Sequence, residues 1–139
     1  MSWNSNLLVI AHRTVDSDHL VEMLCARAAA GPIRVMLLVP AHGDRVSTAK
    51  RTDRAAQRLE AKDITVEALV GHPDPIVALD EIWRPYRYDE IIVATLPDGR
   101  SRWLTLALPH RVERFTGVEV THVVAPVSWQ SDGALRAVA

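Results

Sequence analysis

Short runs of consecutive apolar residues alternate along this chain with stretches whose apolar positions recur every three or four residues. The first pattern marks buried strands and the second marks amphipathic helices. Leu7 to Ala11 reads as a first strand. Asp16 and Ser17 offer helix-capping oxygens, and Leu20, Met23, Leu24, Arg27 and Ala28 follow at helical spacing until Gly31-Pro32 ends the helix. Ile33 to Val39 is a second strand. Both runs are apolar on successive residues, so both faces are expected to be covered, as in a parallel sheet flanked by helices.

From Ala41 to Ser47 the chain turns polar. Thr48 to Lys62 is then a charged helix with a narrow apolar stripe of Ala55, Ala56 and Leu59. Ile64 to Val70 is a third strand, and Gly71-His72-Pro73-Asp74-Pro75 makes a turn and a helix start, with Pro75 suited to the first helical position. Ile76, Leu79, Ile82 and Trp83 form the face of that helix, which ends before Pro85. Glu90 to Thr95, rich in β-branched residues, is a fourth strand leading into the loop Leu96 to Arg102. A short turn, a helix from Pro109 to Thr116 capped by Gly117, and a fifth strand from Val118 to Ala125 complete the order.

Five strands joined by helical crossovers imply an α/β fold with a doubly wound, five-stranded parallel sheet in the order 3-2-1-4-5. At 139 residues the chain is expected to form one domain, with a core over about 6–126 and a C-terminal tail over 127–139. In such sheets ligands bind beyond the carboxyl ends of the strands, where the strand order reverses. Here those ends carry Ala11-His12-Arg13-Thr14, Val39-Pro40-Ala41-His42 and the loop from Leu96 to Arg102.

Composition narrows the chemistry. Sixteen basic and seventeen acidic residues leave a formal charge of −1, so no global field draws the chain to nucleic acid or to an anionic membrane. Lys50, Arg51, Arg54, Arg58 and Lys62 share a helix with Asp53 and Glu60 and read as a solvated face. Cys25 is the single cysteine, which excludes an intramolecular disulfide. The beginning MSWNSNLLVIAHR lacks a basic n-region, and no stretch approaches the roughly 20 apolar residues of a membrane span; a cytoplasmic location is expected. The histidines show no metal-ligand spacing.

Within the fourth loop, Gly99, Arg100, Ser101 and Arg102 combine two fixed positive charges, a hydroxyl and freely approachable amides. His12 and Arg13, at the exit of the neighbouring first strand, are expected to face them. Together they form a candidate cradle for a small anionic molecule. Ser101 sits in Gly-Arg-Ser-Arg-Trp, not the Gly-x-Ser-x-Gly of a strained strand-to-helix elbow, with no evident base, and neither a Walker loop nor a Gly-x-Gly-x-x-Gly follows the first strand.

The order of elements, with LLVIAHRT, GHPDP, DEIIVATLPDGRSRW and HRVERFTGVEVTHVV in sequence, resembles the universal stress protein family over Leu7 to about Val124. The resemblance implies the fold of adenine nucleotide alpha hydrolases, an ATP- or AMP-like nucleotide at the switch between strands one and four, a role in stress response, and a homodimer paired through the last strand, Val118 to Pro126. The family's Gly-x2-Gly-x9-Gly-Ser/Thr pattern keeps only Gly99 here. Leu96, Pro109 and His110 stand at the other three positions, and the family's acidic residue at the end of the first strand falls near His12. Glycine lets amides approach a phosphate, whereas proline has no amide hydrogen to offer. Weak or absent ATP binding is therefore expected, with His12, Arg13, Gly99, Arg100, Ser101, Arg102 and His110 as the ligand-binding set. A binding or regulatory domain is favoured. A nucleotide hydrolase or transferase using the same cleft, and an interaction protein with an empty cleft, are the alternatives.

Overall fold

The structure is a computed structural model, and it describes residues 5–11, 14–15, 17–41, 44–95 and 107–124. Among the described residues nine elements follow one another: β1 (Ser5–Ile10), α1 (Asp18–Ala30), β2 (Ile33–Pro40), α2 (Arg45–Glu60), β3 (Thr65–Gly71), α3 (Pro75–Ile82), β4 (Glu90–Thr95), α4 (Leu108–Thr116) and β5 (Val120–Val124). The strands form one sheet in the order β3-β2-β1-β4-β5. Every pairing is parallel, with Leu7 opposite both Val35 and Glu90, Val35 opposite Val66, and Ile91 opposite Val120. The expected doubly wound α/β fold is the one observed.

Alternation along each strand sorts the core into two layers. Leu7, Val9, Val35, Leu37, Ile92 and Val123 face a layer completed by Leu20, Val21 and Leu24 of α1 and by Ala55 and Leu59 of α2. Leu8, Ile10, Leu38, Ile91 and Val93 face the other layer, closed by Ala78 and Leu79 of α3 and by Leu108 and Val112 of α4. Leu8, Ile10, Leu37, Leu38, Ile91 and Ile92 are fully buried, each stabilising the fold by about 1.5–3 kcal/mol relative to an exposed side chain.

Local chemistry sets the boundaries. The Ser17 hydroxyl accepts from the Leu20 amide to start α1. Asp44 starts α2 at Arg45, three residues before the expected Thr48, because its carboxylate accepts from the Val46 amide at 3.0 Å and from the Ser47 hydroxyl at 3.0 Å. The stripe of α2 is also wider than expected. Thr48 and Thr52 are buried, and their hydroxyls donate to the carbonyls of Asp44 and Thr48 one turn back, so neither leaves an unsatisfied polar atom. Asp74 caps α3, with Pro75 in its first turn as expected. Gly117 ends α4 at φ 73°, a left-handed conformation that suits glycine, and β5 begins at Val120, two residues after the expected Val118.

The amino end of the sheet is tied across elements. Glu90 accepts from Arg27 of α1 at 2.7 Å and from the Thr121 hydroxyl of β5 at 2.8 Å, while Asp89 bonds the Asn6 amide at 2.7 Å. Among the described residues, no helix is long and apolar enough to cross a membrane.

Candidate functional site at the carboxyl ends of β1 and β4

Strand order reverses between β1 and β4, which leave the sheet side by side with helices departing to opposite faces. Two described groups join the strand ends there. The Thr14 hydroxyl, 3% exposed, donates to the Ala94 carbonyl at 3.2 Å and binds the exit of β1 to the end of β4. Thr95, 2% exposed, shares a 2.7 Å hydrogen bond between its hydroxyl and His122 Nε2 on β5.

The helix beginnings around this end differ. α1, α2 and α3 each start on a side-chain oxygen, from Ser17, Asp44 and Asp74, that satisfies their first amides. α4 starts at Ala107, which has φ 54° and no side-chain cap. Among the described residues no side chain caps its first turn, and Pro109 has no amide hydrogen to offer there. At the carboxyl end of β3, Arg45 donates to the Val70 carbonyl at 3.0 Å, and His72 Nδ1 accepts from the Asp74 amide at 2.9 Å. His72 thus serves the turn.

Of the expected ligand-binding residues, His110 lies in the first turn of α4 with its side chain exposed. His12, Arg13, Gly99, Arg100, Ser101 and Arg102 lie outside the described residues, as do Leu96 and the tail from Ala125 onward. Thr14, Thr95 and His122 are absent from the expected set. A threonine ending a β-branched strand and a histidine 27 positions later carry no joint signal in sequence; they meet only because parallel pairing sets Val93 opposite His122 and Thr95 opposite Val124.

A hydroxyl bonded to an imidazole has the form of a nucleophile with its base. Thr95 is nevertheless closed to solvent, and among the described residues no third group orients the His122 ring. The pair reads as a brace between β4 and β5. Among the described residues, no group of three or more histidine, cysteine, aspartate or glutamate side chains is arranged to hold a metal ion. No family model matches the chain, and no curated protein matches it.

Proposed function

We propose that this protein is a small universal-stress-protein-like binding or regulatory domain that holds a nucleotide-like or other anionic ligand where β1 and β4 end. The observation that carries this reading is the strand order β3-β2-β1-β4-β5, because open α/β sheets bind their ligands beyond the carboxyl ends where the order reverses. The start of α4, which no described side chain caps, supports it, since the positive end of a helix favours an anion. In this reading Arg100 and Arg102 supply the fixed charge, Ser101 and the Gly99 amide supply hydrogen bonds, and His12, Arg13 and His110 border the ligand.

The same reading includes a homodimer. Among the described residues β5 is the edge strand of the sheet, and Val124 is 45% exposed; an apolar edge of this kind is protected by pairing with a second copy.

Calorimetry with AMP, Mg-ATP and inorganic phosphate tests the ligand site. The wild type binds AMP or phosphate and binds Mg-ATP weakly. The Arg100→Ala/Arg102→Ala double variant loses that binding with an unchanged melting temperature, each charge-assisted contact contributing about 1.5–3 kcal/mol. Equal affinity in the double variant removes this loop from the account.

A further inference from the structure

At the opposite end of the sheet, where α3 has ended and the chain returns to β4, a cleft of about 170 Å³ is lined by Asn6, Arg34, Met36, Thr65, Glu67, Arg87 and Tyr88 together with Val35. Parallel register builds its floor. Arg34 pairs with Thr65 and Met36 with Glu67, so these four side chains leave the sheet on one face. α3 does not cover that corner: Thr65 and Glu67 are exposed, whereas Gly71 farther along the same strand is buried against Ala78.

The wall comes from a tight turn. Arg87 donates its amide to the Arg84 carbonyl at 3.2 Å, with Pro85 and Tyr86 between them and Tyr86 at φ 66°. Proline followed by a residue of positive φ is the pattern of a type II turn. The turn delivers Arg87 and Tyr88 to the cleft. Tyr88 is held by the Trp83 ring, stacked at 6.0 Å between centroids, and the Arg87 guanidinium lies 5.8 Å from the Tyr88 ring centre. Burial pushes the Tyr88 phenol above its ordinary value, the Arg87 charge opposes this, and the Glu67 charge adds to it, so both charges are felt at the phenol.

Among the described residues, Arg34, Arg87 and Glu67 make no ion pair and no side-chain hydrogen bond. Two guanidinium groups and one carboxylate, none of them in an ion pair, thus border one concavity with an apolar floor at Met36. A simple anion meets repulsion from Glu67, and a simple cation meets it from both arginines. Only a molecule bearing both charges satisfies all three. The volume suits about the size of an amino acid, since a cavity on the order of 150 Å³ accepts a benzene ring.

We propose that this cleft is a binding site for a free amino-acid-like zwitterion, its carboxylate toward Arg34 and Arg87, its ammonium toward Glu67 and its side chain against Met36 and the Tyr88 ring. The site is independent of the anion crevice at the carboxyl ends, so either can fail without the other.

Nuclear magnetic resonance titration of the full ¹⁵N-labelled chain tests it, using L-leucine and L-phenylalanine as probes and following the amides of Asn6, Met36 and Glu67. Saturable shifts are expected with a dissociation constant of about 1 mM. N-acetyl-L-leucine, without the ammonium, and L-leucinamide, without the carboxylate, are expected to bind at least about tenfold more weakly, the first losing the contact with Glu67 and the second those with Arg34 and Arg87. Glu67→Gln removes the discrimination against N-acetyl-L-leucine, and Arg34→Ala weakens leucine while the spectrum stays folded. No saturable shift with either amino acid overturns the proposal. So does equal binding of leucine and its two derivatives, or unchanged discrimination in Glu67→Gln.

Discussion

Gly71 looks in sequence like the punctuation of a turn, but its place is the last residue of β3, beneath α3. A β-carbon there would lie 2.8 Å from the Ala78 side chain and 3.2 Å from Leu38 Cδ1. What the position requires is space, because α3 approaches the sheet closely. Gly71→Ala is predicted to lower stability by about 1–3 kcal/mol, as overpacking does in a close-packed core, and chemical denaturation measures it. Tyr86 presents the reverse case. It is fully exposed and sits at φ 66° where glycine or asparagine is usual. Tyr86→Gly loses no buried contact and relieves the left-handed backbone, so a gain of about 0.5–1 kcal/mol is predicted in the same measurement.

Elements were legible wherever a strong local pattern marked them. β1, β2 and β4 are runs of successive apolar residues because both of their faces are covered, and α3 carries its own capping aspartate and proline. α2 was legible only in part. Its stripe runs Thr48, Thr52, Ala55 and Leu59, and two of those positions read as polar until their hydroxyls are seen bonding one turn back. Its start at Asp44 was hidden in a polar stretch. That cap carries a pH signature. Bonds from the Val46 amide and the Ser47 hydroxyl to the charged carboxylate outweigh the small cost of burial and lower the Asp44 pKa below its ordinary value of 3.8. A carboxyl held lower when folded contributes stability that is present above the unfolded value and is lost as pH falls through the folded one. The wild type is therefore predicted to melt above Asp44→Ala at neutral pH, with the difference shrinking as the pH is taken below about 4. A difference that grows on acidification contradicts the role of the carboxylate.

At the scale of the whole molecule, strand order was legible because parallel crossovers leave few arrangements open, and the alternation of strand and helix is unbroken. The chemistry was less so. Thr14 on Ala94 and Thr95 on His122 depend on register between strands far apart in the chain, which no spacing in the sequence reveals. Similarly, Arg34, Glu67 and Arg87 look like ordinary surface charges until the sheet gathers them. The same register bears on how the proposed dimer is tested. Val123 is buried in the core beside α1, so a charge placed there would unfold the subunit, whereas Val124 is exposed on the edge strand. The central claim is that a ligand-holding domain pairs through this edge. Native mass spectrometry of freshly purified protein reads both properties at once. A dimer carrying a co-purified anionic small molecule is predicted for the wild type, a monomer for Val124→Lys, and a dimer without the added mass for Arg100→Ala/Arg102→Ala. A wild type that is monomeric and free of bound mass would contradict it.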